Sequence, residues 1–169
     1  MAVILQFPTA KARKRAHRAT RSALIVRAFT GPSKLTEVEV EQVANWCLDM
    51  PEADEVRSGC AAGVDTVAAE ITASLFQQVK LHLFVPAAPH NNELVATLER
   101  AGDAEITRLP NVRATRGAAY RDRNRVMVAG STELRAVLRK PTFYRSGEWM
   151  TVNIANNLRI PVYTLILES

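Results

Sequence analysis

Three short turns and one helical segment carry the residues of this chain best suited to holding an anion. Ser58-Gly59-Cys60-Ala61-Ala62-Gly63-Val64-Asp65 sets two glycines around small residues, directly ahead of an amphipathic stretch. Without Cβ atoms, Gly59 and Gly63 let backbone come close to a ligand and reach unusual dihedral angles. A helix starting there offers unpaired N–H groups and a partial positive charge, which suit a phosphate. The competing reading is a plain strand-to-helix turn, with Asp65 favouring the helix dipole. Thr30-Gly31-Pro32-Ser33 brings two hydroxyls and a glycine to a second turn. In the third, Arg145-Ser146-Gly147-Glu148-Trp149-Met150-Thr151, Arg145 could neutralise a phosphate. Trp149 could stack on a base or serve the core. Arg121-Asp122-Arg123-Asn124-Arg125 reads as the opening of a helix with a local positive patch, where Asn124 could fix a sugar hydroxyl or a base edge. The alternative there is a solvated helix face on which Asp122 pairs its neighbours.

The elements that must position these turns alternate between strand and helix. Ala23–Phe29 is a short apolar run suited to a buried strand, and it ends at the Thr30–Ser33 turn. Thr36 opens a helix with Glu39 placed for a capping box, and Val40, Val43, Cys47 and Met50 recur at helical spacing. Further strands are expected at Asp54–Arg57, Lys80–Val85, Glu105–Leu109, Leu134–Leu138 and Pro161–Leu167. Helices are expected from Val64 to Leu75, at Asn92–Ala101 before Gly102, at Gly117–Ala129 before Gly130, and at Gly147–Leu158. Apolar strands alternating with helices imply a parallel sheet covered on both faces. The expectation is a single α/β, Rossmann-like three-layer domain, with a mostly parallel sheet of about five strands. Right-handed crossovers then put the strand-to-helix turns on one edge. Ligands of such sheets bind outside the carboxyl ends of the strands, so Thr30–Ser33, Ser58–Asp65 and Arg145–Thr151 all fall on the binding edge.

Composition narrows the rest. A chain of 169 residues with 47% hydrophobic residues fits one domain with a real core. The net charge is +5, yet residues 1–21 hold six Lys/Arg and no acid, leaving 16 basic and 17 acidic residues beyond them. Residues 1–21 therefore read as a basic arm, and residues 22–169 as a nearly neutral domain. The arm could bind single-stranded nucleic acid in a salt-dependent way, or be a solvated tail. Met1–Phe7 is too short for the apolar core of a signal peptide, and no long apolar run suggests a membrane span. Cys47 and Cys60 are too few for a disulfide framework, and His17, His82 and His90 are scattered, so neither a metal nor another cofactor is expected. The default compartment is the reducing cytoplasm. Trp46 and Met50 could form a homodimer face, with a core role as the alternative.

Together the motifs resemble the SLOG superfamily, which includes DNA-processing protein A and the lonely-guy phosphoribohydrolases. Ser58–Asp65 is similar to the SGxAxGID loop of the DNA-processing type. Arg123-Asn124-Arg125-Val126-Met127-Val128-Ala129-Gly130-Ser131 is similar to its RNRxxAGLS helix, and Ser146-Gly147 with Thr151 to its SGSLxTA turn. Asn91–Leu94 loosely echoes its NxxL segment. The resemblance spans about residues 24–166. It implies a Rossmann-like fold with a nucleotide or nucleic-acid ligand at Gly31, Ser33, Ser58, Gly59, Gly63, Asp65, Arg123, Asn124, Ser146, Gly147 and Thr151. Reading the residues themselves adds Thr30, Cys60 and Arg145 to the ligand-binding candidates.

The departures are informative. Ala69 stands where the DNA-processing type has a histidine, and no stretch of these 169 residues is expected to form the flanking domains of that type. The lonely-guy type resembles PGGxGTxxE at the last turn, but Ile154 stands where its glutamate would act in glycosidic cleavage. Glu148, Glu70 and Asp65 are the available substitutes, and no catalytic residue is assigned. The leading expectation is a sensor, carrier or partner protein that binds a nucleotide or nucleotide-derived ligand. The alternatives are a phosphoribohydrolase or N-glycosidase acting on nucleoside monophosphates, and a single-stranded DNA-binding protein.

Overall fold

The structure is a computed structural model that describes residues 23–86, 92–110, 115–139 and 146–167. The basic arm, residues 1–21, and Arg145 lie outside the described residues, as does Asn91. Strands and helices alternate throughout: β1 Val26–Thr30, α1 Glu37–Asp49, β2 Glu55–Ser58, α2 Val64–Leu75, β3 Lys80–Pro86, α3 Asn92–Ala101, β4 Glu105–Leu109, α4 Arg116–Ala129, β5 Glu133–Arg139, α5 Gly147–Asn157 and β6 Val162–Leu167. The strands form one sheet of six, against the expected five or so, in the order β4-β3-β2-β1-β5-β6. Every neighbouring pair is parallel.

The sheet is packed on both faces. On one, Phe29, Val56, Leu83 and Val137 meet Val43 and Cys47 of α1, Val64 and Ala68 of α2, and Val95 and Leu98 of α3. On the other, Ala28, Phe84, Leu134 and Ala136 meet Met127 and Val128 of α4 and Val152 and Ala155 of α5. Successive strand residues alternate between these faces because side chains alternate across a pleat. With both faces covered, even alternate positions must be apolar, so Leu81–Pro86 is buried at every residue. Trp46 and Met50 pack against the first core, with Trp46 edge-on to Phe29, which is the core role open to them from the sequence.

The chain steps outward from β1 to β4, then returns through α4 to β5 on the other side of β1. This reversal is the topological switch point, and the crevice it creates lies over the carboxyl ends of β1 and β5. The three candidate turns follow β2, β1 and β5, three adjacent strands. They open from neighbouring strands although they lie far apart in sequence.

Candidate functional site at the carboxyl edge

The first two turns are packed into one another. Gly63 caps α2 with φ 79, a left-handed conformation that glycine adopts without strain. A Cβ there would stand 2.1 Å from the Pro32 carbonyl oxygen. That carbonyl also accepts a hydrogen bond from the Val64 amide at 3.2 Å. A Cβ on Gly31 would stand 2.5 Å from Val64 Cγ2. The glycines of both turns are thus used for backbone contact inside the protein.

The Ser58–Asp65 turn is closed from within. Ser58 Oγ donates to the Asp65 carbonyl at 2.7 Å and accepts from the Cys60 amide at 3.0 Å. Thr66 Oγ1 donates to the Ala61 carbonyl at 2.8 Å. Asp65 Oδ2 accepts from the Ala61 amide at 3.4 Å and from Arg123 Nη1 at 3.1 Å. Asp65 and Arg123 are both buried, and the Arg123 guanidinium also lies 5.4 Å from the centre of the Tyr120 ring. Burial pushes the Asp65 carboxyl above the usual carboxylate range, and the Arg123 charge opposes that push. Burial, reinforced by the Asp65 charge, pushes the Cys60 thiol up to about 12. Cys60 also has φ 50, uncommon for a side chain with a Cβ.

Asn124 ties the third turn to the same helix. Its Nδ2 donates to Thr151 Oγ1 at 2.7 Å, and Thr151 Oγ1 donates to the Gly147 carbonyl at 3.0 Å. Neighbouring residues on α4 therefore anchor two different turns, Arg123 through Asp65 and Asn124 through Thr151. The Arg121–Arg125 segment lies in the middle of α4, where the sequence reading set it at a helix opening. Only part of the expected positive patch is a surface feature: Arg121 and Arg125 are exposed, while Arg123 and Asn124 turn inward.

The candidate residues divide into two groups. Thr30, Ser58, Gly59, Cys60, Asp65, Arg123, Asn124 and Thr151 are buried, and Ser58, Asp65, Arg123, Asn124 and Thr151 spend their hydrogen bonds on shaping and joining the turns. Ser33 and Gly147 are exposed at the edge, with Gly31, Gly63 and Ser146 half-buried. Helix starts at this edge differ in one property. Thr36 and Thr115 cap α1 and α4 through their side chains, whereas α2 and α5, which open from the Ser58–Asp65 and Arg145–Thr151 turns, have no side-chain cap hydrogen bond. Among the described residues, a Cβ on Gly147 would meet nothing within 4 Å beyond its own helix. Among the described residues, Ser146 Oγ and Arg123 Nε are buried without a hydrogen-bond partner.

Sequence reasoning missed one clamp on this edge. Arg139, at the end of β5, donates to Glu39 of α1 at 2.8 and 2.6 Å and to the Lys34 carbonyl at 2.7 Å. Glu39 was legible as the capping-box residue, and that box is present, but nothing local points to a partner 100 residues away. Two cavities lie at the other end of the sheet. One, of about 30 Å³ beneath Arg27 and Phe29, has room for about one water. The other is a wider polar cleft beside Gln77, Lys80 and Glu105. Among the described residues there is no cluster of three His, Cys, Asp or Glu that could hold a metal, and no helix is long and apolar enough to cross a membrane.

No protein-family model matches the chain, and no curated protein matches it either. Solved structures do, among them two of DNA processing protein A. DNA processing protein A from Streptococcus pneumoniae matches with a TM-score of 0.64 at 16% identity, over 83% of this chain and 50% of that one. DNA processing protein A from Helicobacter pylori, a structure described for its single-stranded DNA binding mode, matches with a TM-score of 0.64 at 17% identity, over 83% of this chain and 64% of that one. The chain thus spans half the length of the first and 64% of the second. It shares the Rossmann-like fold of these DNA processing proteins, the fold that the motif resemblance implied.

Proposed function

We propose that the carboxyl edge of the sheet binds a nucleotide or nucleotide-derived ligand, with a phosphate on the start of α5 beside the start of α2. The observation that carries this reading is the selective lack of side-chain caps. Threonines cap α1 and α4, whereas the helices that open from the Ser58–Asp65 and Arg145–Thr151 turns, α2 and α5, have no side-chain cap hydrogen bond. Uncapped N-terminal amides favour an anion, since the helix dipole adds to their hydrogen bonds. The buried Asp65–Arg123 and Asn124–Thr151 pairs support it further by fixing both helix starts to α4. Preorganised donors lose little freedom when a ligand arrives.

The test is thermal unfolding of the full chain with nucleotides, nucleotide sugars and cyclic dinucleotides, since a ligand that binds only the folded state raises the midpoint. The paired variant is Gly147→Ala. Among the described residues its methyl meets nothing within 4 Å beyond its own helix, so the unliganded fold stays intact, while the added bulk at the start of α5 crowds a phosphate held there. A midpoint raised for the native chain and not for the variant supports the reading. No shift with any of the compounds overturns it.

A second reading is favoured by the fold neighbours: the same edge takes single-stranded DNA, with the six basic residues of the 1–21 segment as further phosphate contacts. Its signature is affinity that falls steeply with salt and drops on deleting residues 1–21.

A further inference from the structure

The two edges of the sheet are protected very differently. On β4 the exposed residues are Glu105 and Arg108, and both are in ion pairs, with Lys80 and Glu99. Charged edge residues deter pairing with another strand. On β6, Val162-Tyr163-Thr164-Leu165-Ile166-Leu167, there is no charge and no proline, and the exposed residues are Tyr163, Thr164 and Ile166. Tyr163 and Ile166 are 47% and 37% exposed. They fall on opposite faces of the strand because side chains alternate. The end of α5 beside the strand adds a further exposed apolar side chain, Leu158. Among the described residues, the outer side of β6 has no paired strand. Such an edge is a template for another strand.

We propose that this chain forms a two-fold homodimer by antiparallel pairing of β6 with β6 of a second copy, giving a continuous sheet of twelve strands, twice the six of one chain. The choice of a second copy rests on self-complementarity. A two-fold axis perpendicular to the sheet keeps each face on its own side, so facing residues must have the same parity. The register centred on Thr164 sets Thr164 against the partner's Thr164, Val162 against the partner's Ile166, and Tyr163 against the partner's Leu165. Apolar meets apolar, threonine meets threonine, and no like charges oppose one another, as favourable cross-strand pairs require. The antiparallel arrangement also points the two carboxyl edges in opposite directions, so each copy keeps its own candidate site open.

Thr164 lies on the proposed axis, which makes the test direct. Directly opposite Cβ atoms in an antiparallel pair are about 4.5–5.5 Å apart, close to disulfide reach. The native Cys47 and Cys60 are buried and do not compete for oxidation. The full chain should show a concentration-dependent dimer in size-exclusion chromatography with light scattering. Thr164→Cys should convert to a covalent dimer under mild oxidation, reversed by reductant. Thr164→Lys, an exposed change that leaves the fold intact, should weaken dimerisation by about tenfold or more, because it sets two like charges on the axis. A chain that stays monomeric at every concentration overturns the proposal, including when its own N-terminal segment occupies the edge. So does a dimer that Thr164→Lys leaves intact or Thr164→Cys fails to cross-link.

Discussion

The Arg123 guanidinium occupies the place where a side chain on residue 59 would be: a Cβ built on Gly59 would lie 0.8 Å from Arg123 Nη1. The glycine therefore makes room for an internal cation, and that cation holds the turn through Asp65. Gly59→Ala must expel the guanidinium from its pair, which combines overpacking with loss of a buried partner. The expected cost is about 3–5 kcal/mol in denaturant unfolding. Asp65→Asn should cost about as much, because it strands a buried positive charge. Replacing both partners, Asp65→Asn with Arg123→Met, should recover most of the loss. If each single change costs under about 1 kcal/mol, the pair does not organise the turn.

Asn124 and Thr151 make the corresponding link between α4 and α5. A double-mutant cycle with Asn124→Ala and Thr151→Val should give a coupling of about 0.5–3 kcal/mol, the range for contacting residues in one hydrogen-bonded network. Thr151→Ser keeps the hydroxyl and should retain most of that coupling. Additive single and double losses would mean that the two turns are fixed independently.

The order of elements was almost wholly legible, since hydrophobic period and punctuation determine it. Thr36 with Glu39 marked the start of α1, Gly102 the end of α3 and Gly130 the end of α4, all as found. The candidate edge was legible too, because a strand-to-helix turn in a parallel sheet can lie on only one end. What the sequence could not show was which polar residues face inward. Arg121, Arg123 and Arg125 look alike in a line of text, yet 100° of helical rotation per residue buries only Arg123. The glycines misled in a similar way. Gly59 and Gly63 read as room for a ligand, while much of that room is filled by Arg123 and by the Pro32 backbone. The Glu39–Arg139 clamp depends on the sheet order, which brings α1 beside the end of β5 and is not written in any local pattern.

That clamp gives the protein an acid-sensitive element. The Arg139 hydrogen bond, followed by the Thr36 amide, holds the Glu39 carboxyl below its usual range. A carboxyl with a lowered folded-state value contributes stability above its unfolded value, and the contribution is lost as pH falls through the folded value. Unfolding free energy should therefore drop on the acid side, from about pH 4.5 downward. Glu39→Gln keeps a capping-box side chain but removes the ion pair. It should lower stability at neutral pH by about 1 kcal/mol and flatten the acid limb. An unchanged acid limb would assign that pH dependence to other carboxylates.

Cys60 offers a way to watch the turn itself. Its thiol is 1% exposed and pushed up to about 12, and Cys47, on the far side of the core, is likewise pushed up to about 12 by burial. At pH 8 such a thiol carries about three orders of magnitude less thiolate than an ordinary cysteine, and the thiolate is the reactive form. In the folded Cys47→Ser variant, a thiol reagent should therefore label Cys60 only through opening of the Gly59–Gly63 turn. The rate should jump on adding denaturant. It should also rise in Asp65→Asn, which frees the turn from Arg123, by a factor that follows the stability lost there. A nucleotide bound at this edge should slow it. Immediate labelling of the native protein would mean that the turn is open in solution and that the Asp65–Arg123 pair does not close it.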